Sequence, residues 1–352
     1  MLQNENKIQM IVTKTGRKSL FPILLGSKVR FFRTNRKLPT LLNLSFFYRV
    51  CAEILALILL TACEQPAPRM QQQFPSPMID NARLHERIQK QNLPGNRLEI
   101  RSILTKPVQV YIPEKSRGQK PVVPLIHFHG APFVAEHAAY QANRPFVAIS
   151  INLGSGSSAY ERPFQDPQVL PKILSALGDS LNSSRFIPVE VLINKITLSA
   201  FSAGYGAVRA ILRQPENTAS ISSVLLLDGL HTDYVPVRTT LAQGGELNAE
   251  KLAPFLDFAR LALAKKKEFV ISHSAVFPGT YASTTETSDY LLEQFGLQRR
   301  AVLKWGVLGM QQVSEAGEGN FSVLGFAGNS APDHIDHFHA LFDFLGKLHQ
   351  SN

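Results

Sequence analysis

Three side chains of the kinds that perform nucleophilic catalysis follow apolar stretches of the chain, in the order Ser202, Asp228 and His334. A serine hydroxyl becomes a nucleophile when an imidazole takes its proton, and a carboxylate orients that imidazole and stabilises its cation. Ser202 stands in LSAFSAGYGAVRAIL, among unusually many small residues. Small neighbours allow a tight turn that presents one hydroxyl. The small residues therefore serve either packing at a strand-to-helix joint or the presentation of a serine nucleophile that an acid and a base could activate.

The stretches that must position these residues alternate between strand-like and helix-like patterns from about residue 97 onward. Near-continuous apolar runs are typical of strands buried on both faces of a parallel sheet. The sequence therefore predicts an α/β fold, a mostly parallel central sheet with helices on both faces. Sites in such sheets form at the carboxyl ends of the strands. The predicted strands are 98–104, 107–113, 122–130, 145–153, 191–197, 223–229, 268–274 and 321–328; the predicted helices are 81–91, 134–142, 168–181, 207–214, 247–266, 284–296 and 333–348.

The stretch AFSAG, residues 200–204, resembles the nucleophile elbow of the α/β-hydrolase superfamily, with Ala200 at the position of its first glycine. Serine, then acid, then histidine is also the order of that superfamily. The resemblance covers about 250 residues and implies an α/β-hydrolase fold with Ser202 as nucleophile. In HFHGAP, His129 and Gly130 resemble the HG motif that sets the oxyanion loop in many esterases. By this resemblance, the backbone N–H groups of Ala131 and Ala203 are the oxyanion donors.

The base and the acid each have an alternative in the sequence. A cap at Ser330 or Ala331, with a proline in the first turn, places His334 at the top of the last helix and His337 one turn along. In the superfamily that the elbow resembles, the catalytic histidine comes after the last strand, so the resemblance implies His334 as the base, with His337 as the alternative. Asp228 directly ends a predicted strand, a placement that some members of the superfamily use, so the resemblance implies it as the acid. Glu286 is the alternative, although the pattern STTE also makes it part of a helix capping box.

The beginning of the chain differs in composition from the rest. The net charge is +10, but residues 1–62 hold ten of the 37 Lys and Arg and two of the 27 Asp and Glu, so the remainder is nearly neutral and gives no sign of nucleic-acid binding. A short apolar run ends in Leu-Thr-Ala-Cys63, which resembles the lipobox of bacterial lipoproteins. The resemblance implies lipidation of Cys63 and a lipid-anchored protein of the bacterial cell envelope. We therefore expect a leader (1–62), a Pro- and Gln-rich tether with a short helix (63–95) and a hydrolase domain (96–352).

The function that these features favour is ester hydrolysis through an acyl-enzyme, without a cofactor, on a small-molecule or lipid-like ester. The segments 152–164 and 231–248 follow strands and are expected to shape the pocket as loops. Two alternatives stay open: a metal-dependent hydrolase or metal-binding protein using His127, His129, His334 and His337, and a non-catalytic surface lipoprotein. The sequence leaves the identity of the ester and the oligomeric state open.

Overall fold

The computed structural model describes residues 84–116, 121–183 and 195–348. The predictions for Cys63, the leader and most of the tether lie outside these residues. The strands are β1 (Gly95–Ile100), β2 (Val108–Pro113), β3 (Val123–Phe128), β4 (Phe146–Ile151), β5 (Ile196–Phe201), β6 (Ile221–Leu227), β7 (Tyr234–Val235), β8 (Glu246–Leu247), β9 (Glu268–His273), β10 (Arg300–Trp305), β11 (Gln311–Glu318) and β12 (Phe321–Phe326).

In this part of the chain, one sheet has ten strands in the order β1-β2-β4-β3-β5-β6-β9-β12-β11-β10. The central strands from β4 to β12 are parallel to one another. Antiparallel pairs extend the sheet at both edges, through β1 and β2 on one side and β11 and β10 on the other. Since β3, β5 and β6 are neighbours and parallel, the residues that follow them meet at one end of the sheet.

Helices cover both faces of this sheet, whose central strands are buried along almost their whole length. The helices are α1 (Pro132–Gln141), α2 (Ser157–Phe164), α3 (Val169–Ser183), α4 (Tyr205–Leu212), α5 (Pro215–Ser220), α6 (Ala253–Leu263), α7 (Thr284–Gln294), α8 (Ala331–His339) and α9 (Leu341–Gly346). One apolar cluster joins the sheet to α2, α3, α4, α6 and α7, and a second joins its other face to α1, α8 and α9. The predicted α/β class with helices on both faces is confirmed.

Several elements differ from the sequence prediction. Residues 84–93 form no helix, because His85 and Arg87 bind α8 instead: His85 Nδ1 donates to Asp336, and Arg87 donates to the carbonyl of Pro332. The expected loop 152–164 contains α2, whose Tyr160 and Phe164 lie one turn apart and are buried in the core. The helix predicted over 333–348 is two helices, α8 and α9, which meet at Ala340.

Two strands beyond β12 in the sheet and one strand boundary were also not predicted. The strands β10 and β11 extend the sheet as an exposed antiparallel hairpin without the apolar run of a buried strand. The strand before Ser202 begins at Ile196, and residues 191–194 of the predicted strand lie outside the described part. Within the described ranges, we find no helix with the length and apolar character needed to cross a bilayer.

Candidate active site

Three residues at the carboxyl end of the sheet have left-handed backbone conformations. His129 follows β3 with φ 71°, Ser202 follows β5 with φ 46°, and Asp228 follows β6 with φ 43°. Residues other than glycine rarely adopt such angles, and the strain concentrates at functional sites, where the surrounding structure maintains it. Because the three strands are adjacent, the strained turns lie side by side and define a candidate active site.

The turn at Ser202 explains the small residues around the serine. Ser202 begins a short 3₁₀ turn, Ser202–Gly204, that leads directly from β5 into α4. A Cβ atom at Gly204 would lie 2.3 Å from the carbonyl oxygen of Phe128 at the end of β3. That distance is far below van der Waals contact, so only glycine allows this approach without movement of the backbone. The strand-to-helix joint is therefore compressed against the neighbouring strand, with the Ser202 side chain partly exposed.

Asp228 and His334 form a hydrogen-bonded pair beside this turn. His334 Nδ1 lies 2.8 Å from Asp228 Oδ2. A carboxylate only accepts, so Nδ1 carries the proton, and the Nε2 of the neutral imidazole has its lone pair available. This is the tautomer that a general base for a serine hydroxyl requires. The Ser330 capping box starts α8 and puts His334 in its first turn, as the sequence predicted.

The Asp228 carboxylate is buried but stays charged. Burial by itself raises its pKa, but the hydrogen bond from His334, the nearby His337 and the Ser274 hydroxyl together lower the pKa well below its ordinary value. Ser274 donates twice, from its backbone N–H to Oδ1 at 3.0 Å and from its hydroxyl to Oδ2 at 2.5 Å. Asp228 thus remains an acceptor throughout the neutral range and fixes the orientation of the imidazole.

One cavity brings the three predicted residues together. Ser202, Asp228 and His334 all line a cavity of about 260 Å³. The ring of Phe201, which directly precedes the serine, lies 4.6 Å from the His334 ring between centroids and supports one side of the imidazole. The structure therefore places a hydroxyl, an imidazole of suitable tautomer and a buried carboxylate around one space that a substrate can enter.

The two predicted oxyanion donors lie at the starts of helices. Ala203 is the second residue of the 3₁₀ turn, and Ala131 immediately precedes α1. The first N–H groups of a helix have no partner within it, and the helix dipole favours negative charge there. Asn152 Nδ2 donates to the carbonyl of Gly130 at 3.3 Å. Since C=O and N–H of a trans peptide point in opposite directions, this bond also fixes the direction of the Ala131 N–H.

Tyr160 connects the turn at His129 and Gly130 to the segment after β4. Its buried hydroxyl lies 2.7 Å from Nδ1 of His129 and 3.0 Å from Oδ1 of Asn152. It also accepts from the backbone N–H groups of Leu153 and Gly154. Gly130 has a φ of 119°, an angle that residues other than glycine rarely adopt. A tyrosine in a segment expected to be a loop thus holds the backbone that is predicted to bind the oxyanion.

The alternative acid and base have other contacts. His337 is buried, and its Nδ1 lies 2.9 Å from the hydroxyl of Ser272. Glu286 accepts from the backbone and hydroxyl of Ser283 and from the hydroxyl of Tyr234, so it has the capping function that its sequence pattern predicted. Neither residue lines the cavity that contains Ser202. The geometry therefore favours His334 and Asp228 over these alternatives.

The four histidines of the metal alternative do not form one cluster of ligands. His127 is fully buried and lies 3.1 Å from the Ser199 hydroxyl, and burial lowers its pKa to about 3. Those at positions 129, 334 and 337 contact Tyr160, Asp228 and Ser272 respectively. In the described part of the chain, the group of metal-ligating side chains within reach of one another comprises His85, Asp333 and Asp336 instead. The structure gives the metal hypothesis no assembled centre at the predicted residues.

Two contributors to the site were missed in the sequence analysis, Ser274 and Tyr281. Ser274 anchors Asp228 from the end of β9, 46 residues away in the chain, and no local pattern shows such a pairing. Tyr281 lines the cavity and contacts His231 edge to face at 5.1 Å. His231 also lines the cavity, and it begins the segment 231–248 that was expected to shape the pocket.

No family model and no curated protein sequence matches this chain. Among solved structures, it is similar to an arylesterase, with 13% identity and a TM-score of 0.38 over 84% of this chain and 96% of that one. It is also similar to an acylaminoacyl peptidase of Pyrococcus horikoshii, with 12% identity and a TM-score of 0.37. That match covers 73% of this chain but only 41% of the peptidase. Likeness at this level says nothing of what this chain does, so its function has to be derived from the residues of the site.

Replacing Gly204 by alanine tests the compressed turn. The added Cβ would meet the Phe128 carbonyl oxygen at 2.3 Å, so strand and helix must move apart. We expect Gly204→Ala to lower the free energy of unfolding by about 1–3 kcal/mol, the usual cost of overpacking. Gly178→Ala in α3 is the control, since a Cβ there meets nothing within 4 Å. It should raise stability by about 0.5–1 kcal/mol. Urea unfolding measures the free energy of unfolding of both variants. Equal changes in the two variants would contradict the compressed turn at Gly204.

The ionised state of Asp228 predicts a pH dependence of stability. Its pKa in the folded state lies below the unfolded value of about 4, so between these two values the unfolded chain binds more protons. The stabilisation is fully present above pH 4 and is lost as the pH falls through the folded pKa. We expect Asp228→Asn to cost about 2 kcal/mol at pH 7 and clearly less at pH 3, measured by urea unfolding. Asp257→Asn on the exposed face of α6 should show no such trend. A cost for Asp228→Asn that is constant from pH 7 to pH 3 would refute the prediction.

Proposed function

We propose that this protein is a serine hydrolase of the α/β-hydrolase type that cleaves esters through an acyl-enzyme. The observation that carries the proposal is the common cavity of Ser202 and His334, with the His334 Nδ1–H held by the buried Asp228 carboxylate. This combination of a strained serine, a base of defined tautomer and a charged orienting group serves nucleophilic catalysis. A serine that only caps a helix would need none of these partners.

In the acylation step, Ser202 Oγ attacks the ester carbonyl carbon while His334 Nε2 takes the hydroxyl proton. The negative charge that develops on the carbonyl oxygen is stabilised by the N–H groups of Ala131 and Ala203. Each such donor contributes about 3–4 kcal/mol to the transition state. Collapse of the tetrahedral intermediate breaks the bond to the leaving group, and the His334 imidazolium gives its proton to the departing oxygen. Asp228 stabilises the imidazolium but keeps its own charge.

In the deacylation step, water replaces the alcohol at the same position. His334 takes a proton from that water, the hydroxide attacks the acyl carbon, and the Ser202 oxygen leaves with the proton from the histidine. The same donors bind the second oxyanion. One histidine thus acts twice as base and twice as acid, and the carboxylic acid is released.

A fluorophosphonate probe tests the activated nucleophile. We expect the purified chain to be labelled at Ser202, identified by mass spectrometry of the adduct peptide. Ser202→Ala should abolish the labelling, and His334→Gln should slow it at least about 1,000-fold, because the proton acceptor is removed. Ser322→Ala, on β12 away from the cavity, is the matched control.

The same probe separates the two candidate bases. His337→Gln should slow the labelling far less than His334→Gln, since His337 is bonded to Ser272. Circular dichroism checks that each variant is folded. A folded wild-type chain that takes no label would refute the hydrolase mechanism, and a larger effect of His337→Gln would assign the base to that residue.

We further propose that the chain is held in the bacterial cell envelope by a lipid on Cys63. The support is the sequence Leu-Thr-Ala-Cys63 after a short apolar run, with a Pro- and Gln-rich tether between it and the folded residues. Feeding an alkyne-tagged palmitate to bacteria that express the full chain should label it and place it in the membrane fraction. Cys63→Ser should lose both label and membrane association. Cys51→Ser, at the other cysteine of the chain, should lose neither. Equal labelling of all three proteins would overturn the anchor.

A further inference from the structure

Two cavities meet at the nucleophile, and they differ in chemistry. Both include Ser202, His231 and Tyr281. The first, which we call the His334 lobe, has a volume of about 260 Å³ and is completed by Asp228, Val276, Pro278, Thr284, Ala331 and His334. The second, which we call the Ala203 lobe, has a volume of about 320 Å³ and is completed by Ala203, Ser155, Ser157, Tyr205, Thr232 and Asp233.

The reaction itself assigns the two halves of an ester to these lobes. The leaving oxygen must receive its proton from His334, so the group attached to that oxygen lies on the His334 side. The carbonyl oxygen must lie at the N–H of Ala203, and the acyl chain extends from the carbonyl carbon away from the leaving group. The leaving group therefore occupies the His334 lobe, and the acyl group occupies the Ala203 lobe.

The His334 lobe suits a compact apolar group. Its walls include Val276, Pro278 and the ring of Tyr281, and the polar residues Asp228 and Thr284, which it does not share with the Ala203 lobe, have protein partners. Asp228 is bonded to His334 and Ser274, and Thr284 Oγ1 accepts from the N–H of Leu230. At about 30 Å³ for each water, 260 Å³ corresponds to roughly nine non-hydrogen atoms. A phenol fits this volume.

The Ala203 lobe instead presents hydrogen-bonding groups. His231 Nδ1–H donates to the carbonyl of Ala282 at 2.9 Å, and burial lowers the pKa of His231 to about 4. The imidazole is therefore neutral at pH 7, and its Nε2 is an acceptor. The hydroxyls of Ser155 and Ser157 and the carboxylate of Asp233, which is paired with Lys251, add further polar groups. A hydroxylated acyl group can form hydrogen bonds with these groups, whereas a hydrocarbon acyl group cannot.

We propose that the substrate is a compact ester of a hydroxylated acid, with an apolar alcohol or phenol of up to roughly nine non-hydrogen atoms as leaving group. The assignment rests on the proposed function and adds the substrate class. The Ser202 oxygen forms a bond to the acyl carbon, the bond from that carbon to the leaving oxygen breaks, and the proton from Ser202 reaches the leaving oxygen through His334. Water then restores the enzyme and releases the hydroxy acid.

Two phenyl esters of equal size test the acyl side. Phenyl 2-hydroxypropanoate and phenyl 2-methylpropanoate differ by a hydroxyl in place of a methyl group. We expect kcat/KM, divided by the rate of hydroxide-catalysed hydrolysis of each ester, to be at least tenfold higher for the hydroxy ester. A site that hydrogen-bonds a hydroxyl discriminates against an analogue without it. Equal values, or a preference for the methyl compound, would overturn the acyl assignment.

Matched substitutions by tryptophan test both lobes. Val276→Trp should fill the His334 lobe and lower the ratio of kcat/KM for phenyl acetate over methyl acetate at least tenfold. Ser155→Trp should fill the Ala203 lobe and lower the ratio for phenyl 2-hydroxypropanoate over phenyl acetate at least tenfold. Val313→Trp, on the exposed hairpin of β10 and β11, should change neither ratio. The reverse pattern for the first two variants would exchange the lobes and refute the proposal.

Labelling of Ser202 by the fluorophosphonate in the same samples distinguishes a failure of the substrate assignment from a failure of the proposed function. If the wild type is labelled but the ratios do not follow the predicted pattern, the substrate assignment is wrong and the hydrolase stands. If the wild type is folded and takes no label, the proposed function fails, and the substrate assignment fails with it.

Discussion

The site depends on the hydrogen bonds that stabilise the buried, charged carboxylate of Asp228. A carboxylate with 5% of its side chain exposed is stable in the charged form only if donors surround it, and three hydrogen bonds converge on it. They come from the end of β9, through Ser274, and from the first turn of α8, through His334. Asp228 itself follows β6. One charged group therefore ties two strands and a helix together at the carboxyl end of the sheet, and the same bonds that stabilise the charge orient the imidazole.

The second constraint is steric and acts on Ser202, the proposed nucleophile. The chain passes from β5 into α4 within a single short turn, and Gly204 touches the backbone at the end of β3. Ser202 has no freedom to relax in such a turn, which is why its φ is positive. The bonds to Asp228 orient the His334 imidazole, and the compression at Gly204 constrains the backbone at Ser202.

Much of this arrangement could be predicted from the sequence because the signals are local. Buried parallel strands are near-continuous apolar runs, so the strands that lead to Ser202 and Asp228 were found, and the Ser330 cap with its proline located His334 at the top of its helix. The helix α2 was missed, since Gly154, Gly156 and Pro163 favour a loop; the one-turn spacing of Tyr160 and Phe164 was the available evidence.

Other features depend on contacts between distant parts of the chain. No pattern within the segment 84–93 shows that His85 and Arg87 bind α8, and intrinsic helix propensity gives way to those contacts. The exposed hairpin of β10 and β11 lacks the apolar run that marks a buried strand. The bonds from Ser274 to Asp228 and from Tyr160 to His129 join residues 46 and 31 positions apart, so only the folded chain reveals them.

The most direct measurement of the central claim is the first turnover of an activated ester. Rapid mixing of the purified chain with 4-nitrophenyl acetate, followed by acid quenching and mass spectrometry, should give a burst of one nitrophenol per chain and an acetyl group on Ser202. Steady turnover of the ester without a burst, together with no acetylated Ser202 at any quench time, would contradict a covalent mechanism through this serine.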